Sequence, residues 1–296
     1  MMIEELEKAS KIARDVYNYS KSLLKPDTYL IEIAEKIEEK IIDLGGFPAF
    51  PVNLSINEIA AHYTPDINDR SILKEGDLIK VDIGVHVDGY IVDFAYTYEV
   101  NDNKYEDLVL ASKEALKRVK TIIRKDIELG IIGKEVEETI KKYGYKPIYN
   151  LTGHKIERYL LHASINIPNY DNGSQTKISE GIYAVEPFAT NGIGFVKDCG
   201  SSKIYSVVNY KPLRNLNARK ILDNIYNKYK YLPFCKRWIY RDFKDLNNID
   251  LIINYLIKEK VLIEYKILCE QSKGLVSQFE TTFLINNGVK DLVEII

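Results

Sequence analysis

The chain has 296 residues, of which 46% are hydrophobic and 28% are charged, and its formal net charge is −2 at pH 7. This composition is typical of a folded globular protein, and the near-neutral charge gives no general attraction to nucleic acid or acidic membranes. No run of 18 apolar residues occurs, and the acidic start MMIEELEKAS does not resemble a signal peptide, so we expect no membrane association. Cys199, Cys235 and Cys269 are widely spaced and odd in number, which predicts a reducing cytoplasm rather than a disulfide framework or a zinc site.

Helical patterns occupy the first part of the chain. Apolar periodicity predicts helices at 3–24 and 28–44, with Pro26 interrupting the pattern between them. Asp27 is a residue type that caps helices, so we predict it as the N-cap of the second helix. A stretch rich in strand patterns follows at 47–100.

The rest of the chain alternates between helical and strand patterns. Helices are expected at 104–126 and 134–142, with Gly130 and Gly133 in the connection between them, and strands with loops are expected at 147–200. Helical periodicity returns at 213–230 and 249–259, and strands return near 261–285. The candidate inward positions of the 213–230 helix are Leu213, Leu216, Ile221, Ile225 and Tyr229. We therefore predict a helical insertion at 205–265 within a catalytic domain formed by 1–204 and 266–296.

Two aspartates lie on a predicted β-hairpin, VDIGVHVDGYIVDFAYTYEV. The Asp88-Gly89 pair is a two-residue hairpin turn signal, which places Gly84 opposite Asp93. Asp82 then shares a face with Asp93 on a diagonal, roughly 7–8 Å away at Cα. Two acids on the apolar face of a hairpin are costly unless a positive charge lies between them, so this pair suggests a cation site.

Three more segments carry metal-ligand side chains in apolar surroundings. His154 begins GHKIERYLLH, in which His162 follows eight residues later. Glu186 interrupts the apolar run IYAVEPF, and Glu280 interrupts SQFETTFLI. Each residue alone has an ordinary structural explanation, but four such segments together predict a shared metal site.

These segments, in this order, resemble the methionine aminopeptidases, and most closely the archaeal branch of type 2. The resemblance rests on FPAFPVNLSINEIAAHYTP, the hairpin, NLTGHKIERYLLHASINIPNY, GIYAVEPFAT and SQFETTFLI, and it covers nearly the whole chain. It implies an α+β fold, the pita-bread fold, with a small helical insertion subdomain that is characteristic of type 2. It also implies a cytoplasmic metallo-aminopeptidase that removes the N-terminal methionine of nascent polypeptides.

The resemblance further implies a site with two divalent metal ions, whether Co, Mn, Fe or Zn. The implied metal ligands are Asp82, Asp93, His154, Glu186 and Glu280. Glu186 is also the implied general base, with His162 donating to the developing oxyanion and His62 beside the scissile amide. The implied walls of the methionine pocket are Phe50, Leu161, Ile204 and Tyr205. The residue after methionine would have to be small, because a bulky one would prevent close approach of the carbonyl to the metals.

Two alternatives remain open from the sequence. One is an Xaa-Pro aminopeptidase or prolidase of the same fold, and the other is a non-catalytic relative that binds RNA or proteins. Residues 211–237 contain eight basic residues against one acid, which indicates either a solvated helical face or a contact with ribosomal RNA. The protein is expected to be a monomer.

Overall fold

The computed structural model describes residues 2–243 and 248–296. Within them, the helices are α1 (Met2–Lys21), α2 (Leu30–Asp43), α3 (Glu106–Ile122), α4 (Leu129–Lys142), α5 (Leu216–Tyr229), α6 (Lys236–Asp242) and α7 (Ile249–Lys258). The strands are β1 (Phe47–Pro48), β2 (Asn53–Ile56), β3 (Ile59–Ala61), β4 (Leu78–Val87), β5 (Tyr90–Glu99), β6 (Lys146–Pro147), β7 (Thr152–Ile156), β8 (Asn166–Pro168), β9 (Gly181–Val185), β10 (Phe188–Thr190), β11 (Val196–Val207), β12 (Phe234–Cys235), β13 (Leu262–Glu270), β14 (Val276–Gln278), β15 (Thr281–Ile285) and β16 (Val289–Asp291). None of the described helices combines the length and the apolar character that crossing a bilayer requires.

The strands form four antiparallel sheets. The hairpin sheet has the order β1-β4-β2, with β5 also paired to β4, and α1 packs on β4 and β5. A five-stranded sheet has the order β16-β15-β9-β7-β8. The other two sheets have the orders β14-β10-β6 and β12-β11-β13-β3. The hairpin sheet meets the segment between β14 and β15 through a bridge between Ala95 and Glu280. The backbone N–H groups of these two residues donate to each other's carbonyl oxygens at 3.2 and 2.9 Å.

Two predictions about helix ends were wrong. Asp27 does not cap α2, because the backbone at Asp27 has a φ of 63° and the helix begins three residues later, after Tyr29. Gly130 and Gly133 do not lie between helices but within α4. A Cβ atom on Gly133 would lie 2.1 Å from the carbonyl oxygen of Tyr170, so the close approach of that loop explains a glycine inside the helix.

The segment predicted as an insertion contains α5, α6, α7 and the short strand β12 between β11 and β13. Residues 244–247 of this segment lie outside the described residues. Four of the five inward positions predicted for the 213–230 helix are buried, although α5 begins only at Leu216 and Leu213 precedes it. Leu216, the first residue after the N-cap Asn215, is 73% exposed. Whether 205–265 forms a separate subdomain stays a prediction.

The expectation that the cysteines form no disulfide was wrong. Cys199 of β11 and Cys269 of β13 are joined, with their Cα atoms 5.8 Å apart. The two strands pair along most of their length, which brings together residues that are 70 positions apart in sequence. Cys235 is a free, buried thiol.

Candidate metal centre and substrate cavity

The hairpin of β4 and β5 has the predicted register. Gly84 pairs with Asp93, and Asp82 pairs with Ala95, so the two aspartates are diagonal neighbours on one face. A Cβ atom on Gly84 would lie 2.3 Å from the ring of Phe50, which shows how closely that ring covers the strand beside the acids.

Glu280 reaches the hairpin because two sheets join at this point. Its backbone bridges Ala95, and two residues further on the Thr282 hydroxyl exchanges hydrogen bonds with the backbone of Asp93. The Asp93 N–H donates to Thr282 Oγ1 at 2.8 Å, and this hydroxyl donates to the Asp93 carbonyl oxygen at 2.7 Å. Asp93 and Glu280 therefore project from a tightly fixed backbone.

His154 and Glu186 complete the cluster from β7 and from the break after β9. The Nε2 atom of His154 lies 3.6 Å from Asp93 Oδ2 and 3.9 Å from Glu186 Oε1. Gln278 links the two glutamates, since its side-chain amide lies 3.1 Å from Glu280 Oε2 and 3.4 Å from Glu186 Oε2. The sequence pattern did not single out Gln278, although it stands two residues before Glu280.

The donor set fits a divalent cation. One ligand atom from each of Asp93, His154 and Glu280 lies within 4.8 Å of the others, and all three residues are buried. Oδ1 of Asp82, Oδ1 of Asp93 and Oε1 of Glu280 are buried without a hydrogen-bond partner. Buried acceptors of this kind are costly unless paired, and oxygen ligands with one imidazole suit first-row divalent metals.

The protonation behaviour of the acids indicates the same need for positive charge. Burial raises the pKa of Asp82 to about 7. Burial, followed by repulsion from the neighbouring carboxylates, raises the pKa values of Asp93, Glu186 and Glu280 well above their usual range. Four carboxyl groups that resist ionisation together would be stabilised as carboxylates by cations among them.

The cluster lines a cavity of about 290 Å³. All five predicted ligands line it, together with His62, His162, Phe50, Leu161 and Ile204. Tyr205 does not line the cavity. It is buried behind the wall, where its ring packs 6.0 Å from the ring of Phe234.

Two further histidines, His62 and His162, line the cavity beside the cluster. The ring of His162 contacts the ring of His154 edge to face, with centroids 4.5 Å apart. His62 also lines the cavity; its backbone φ is 65°, and its Nδ1 atom is 3.1 Å from the carbonyl oxygen of Lys266. Tyr265, which the sequence pattern did not indicate, packs near both, with its ring centroid 5.4 Å from that of His62 and 6.1 Å from that of His162. Both imidazole rings therefore border the same cavity as the acids.

Comparison with known proteins identifies the family. The model of "Metallopeptidase family M24" matches residues 4–210. The methionine aminopeptidase of Thermococcus onnurineus (strain NA1) is 49% identical over 284 residues, which cover 95% of this chain and 96% of the relative. The chain belongs to the methionine aminopeptidases of family M24. The predicted metallo-aminopeptidase class is thereby confirmed for this M24 enzyme.

Solved structures support the fold. A thermophilic Arx1 superposes with a TM-score of 0.82 at 19% sequence identity, covering 99% of this chain and 90% of that one. The methionine aminopeptidase from Rickettsia prowazekii superposes with a TM-score of 0.68 at 21% identity, covering 98% of this chain and 96% of that one. These likenesses confirm the predicted pita-bread architecture of the M24 enzyme.

Proposed function

We propose that this M24 enzyme is a dinuclear-metal methionine aminopeptidase that removes the N-terminal methionine of nascent polypeptides. The observation that carries the proposal is the convergence of four carboxyl groups and one imidazole, from separate strands and strand ends, in one cavity. The Xaa-Pro alternative is not favoured, because the relatives that align over nearly the whole chain are methionine aminopeptidases.

Two divalent ions would be held by the five ligand-type side chains that line the cavity, namely Asp82, Asp93, His154, Glu186 and Glu280. When bound, two divalent cations such as Co, Mn, Fe or Zn supply a Lewis acid for the scissile carbonyl and lower the pKa of a water molecule toward neutrality. The unpartnered oxygens of Asp82, Asp93 and Glu280 support this assignment.

The remaining chemistry is a proton transfer with stabilisation of negative charge. Glu186 accepts the proton of the attacking water and passes it to the amine nitrogen as the C–N bond breaks. A ring N–H of His162 donates to the carbonyl oxygen as charge develops there, and His62 contacts the scissile amide. Both histidines line the same cavity as Glu186, which supports a shared role.

The methionine side chain would pack against Phe50, Leu161 and Ile204. Aromatic and aliphatic walls suit a flexible, polarizable thioether. The second residue of the substrate must be small, because a bulky side chain would hold the carbonyl away from the acids and lose the reactive geometry. Tyr205 would act only through the backbone it shares with Ile204.

A contact with ribosomal RNA remains part of the proposal, with fewer residues than the sequence suggested. Lys211, Lys228 and Lys236 form ion pairs with carboxylates, and Arg237 is buried against one. Among the described residues, Arg214, Lys220 and Lys230 form no ion pair, so they are the cations we propose for phosphate contacts. We further propose that the enzyme acts as a monomer in the cytoplasm. The proposed location rests on the proposed substrate alone, because the Cys199–Cys269 disulfide contradicts the expectation that the cysteines stay reduced.

The test is hydrolysis of defined peptides after metal reconstitution. We expect cleavage of Met-Gly peptides, with kcat/KM at least about tenfold higher than for Met-Leu peptides, which corresponds to about 1.4 kcal/mol of lost transition-state binding. Xaa-Pro peptides that lack methionine should not be cleaved. Comparable kcat/KM for Met-Gly and Met-Leu peptides would contradict the steric account, and preferred cleavage of Xaa-Pro peptides would overturn the proposed function.

A further inference from the structure

A buried ion pair between Glu38 and Arg237 joins α2 to α6. The guanidinium of Arg237 donates two parallel hydrogen bonds to the carboxylate of Glu38, from Nη1 at 2.7 Å and from Nη2 at 2.9 Å. The two side chains are only 7% and 5% exposed. The pair links residues 199 positions apart, so it holds together parts of the chain that local structure does not connect.

Three further hydrogen bonds converge on the same pair. The indole N–H of Trp238 donates to Glu38 Oε2 at 2.8 Å, and the backbone N–H of Val52 donates to Glu38 Oε1 at 3.2 Å. The Nε–H of Arg237 donates to the carbonyl oxygen of Pro65 at 3.2 Å. Both charged groups therefore have several hydrogen-bond partners within the protein interior.

Two residues that hydrogen-bond to the pair, Val52 and Pro65, are close in sequence to residues that line the cavity. Val52 follows Phe50 by two residues, and Pro65 follows His62 by three. On the α6 side, the chain before Arg237 contains Pro233, which lines the cavity itself.

The segment that precedes α6 is also paired with β11. Between Pro233 and Arg237 lies β12, whose Cys235 pairs with Ile204 of β11 in an antiparallel register. Ile204 lines the cavity, so a shift of α6 would be transmitted through β12 to that side chain. The ion pair thus connects three separate segments of the wall.

We propose that the Glu38–Arg237 pair is a positioning pair that sets the width of the pocket for the first residue of the substrate. This inference rests on the proposed function, in which that pocket accepts methionine. A bidentate pair fixes both the distance and the angle between its partners, because the planar guanidinium matches the carboxylate in one orientation. Sliding α6 away from α2 would leave charges buried without partners, so the wall between Phe50 and Ile204 is held at one spacing.

The test compares first-residue selectivity in variants that break the pair. The double variant Glu38→Gln/Arg237→Gln removes both charges together, so no uncompensated charge remains buried. We expect the ratio of kcat/KM for Met-Gly peptides to that for the corresponding ethionine and leucine peptides to fall at least tenfold. The Michaelis constant for Met-Gly should rise while kcat changes less than threefold, because the acids and both histidines are untouched.

Three further variants separate positioning from general stability. Arg237→Lys keeps the charge but loses the planar fork, so its selectivity ratio should fall between the wild type and the double variant. Arg241→Gln removes an exposed arginine from the same helix, and Glu270→Gln alters a buried carboxylate that does not line the cavity. Both controls should keep the wild-type selectivity, even if the second lowers the unfolding temperature.

The outcomes distinguish this inference from the proposed function. Wild-type selectivity in a folded double variant, or in Arg237→Lys if the double variant does not fold, would overturn the positioning role. An equal change in Glu270→Gln would also overturn it, since general destabilisation would then explain the effect. A wild-type enzyme that prefers another first residue would refute the proposed function alone. The ratio between that residue and its homologue one methylene longer would still test the pair.

Discussion

The disulfide between Cys199 and Cys269 allows a quantitative prediction. It links β11 to β13, and its removal by Cys199→Ala, by Cys269→Ala or by both should lower the free energy of unfolding by the same amount. The three variants should agree because each one abolishes the same crosslink. The catalytic constants at 25 °C should stay unchanged, since the backbone pairing of the two strands remains.

The magnitude follows from the length of the closed loop. A sequence separation of 70 residues gives a loop-closure entropy of about 15 cal/mol/K in the unfolded chain, or about 4 kcal/mol at 25 °C. Residual structure in the unfolded state reduces this value, so a loss of about 2–4 kcal/mol is expected. Such a loss is a large fraction of the ~5–15 kcal/mol that typically stabilises a folded protein.

The assay is denaturant unfolding with and without a thiol reductant, together with thiol counting. The wild type should lose the same stability on reduction, whereas the double alanine variant should not respond to reductant. Denatured wild type should expose one thiol before reduction, that of Cys235, and three after it. Three thiols before reduction, or equal stability of the wild type and all variants, would refute the crosslink.

Two further predictions concern the histidines and a buried carboxylate. His162→Ala should keep the wild-type metal content while kcat falls by about 10²–10³-fold, as expected for loss of an oxyanion donor. His62→Ala should have the same effect. The control His86→Ala, outside the cavity, should keep wild-type turnover. Loss of metal in either of the first two variants would make that histidine a ligand. Burial raises the pKa of Glu270, but hydrogen bonds from Ser272 and nearby backbone N–H groups outweigh it and leave the pKa below the usual 4.5. The stability advantage of the wild type over Glu270→Gln should therefore be full above about pH 4.5 and shrink as the pH falls through the lowered folded pKa; an advantage that is independent of pH in acid unfolding curves would contradict it.

The hairpin and its aspartates were predictable because the information is local. The Asp88-Gly89 turn fixes the pairing of two strands that are adjacent in sequence, and alternation then decides which side chains share a face. The same alternation explains why Tyr205 was misplaced. Ile204 and Tyr205 are consecutive in β11, so when one side chain faces the cavity the other points away.

Other features depended on contacts that no local pattern contains. The sequence predicts Gly130 and Gly133 as a connection between helices, because it does not show that the 168–174 loop approaches α4 closely at both positions. The disulfide requires β11 and β13 to pair across an intervening helical segment. Glu38 and Arg237 each resemble an ordinary exposed helix charge in the sequence, and only the packing of α6 on α2 shows that both are buried.

We propose that the cluster around Asp93 binds two catalytic metal ions. The most direct measurement is the metal content per chain of the wild type and of Asp93→Asn after reconstitution, determined on the same samples as Met-Gly hydrolysis. We predict two ions per wild-type chain, with loss of bound metal and near-complete loss of turnover in the variant. Wild-type turnover in Asp93→Asn with its metal content unchanged would contradict the account.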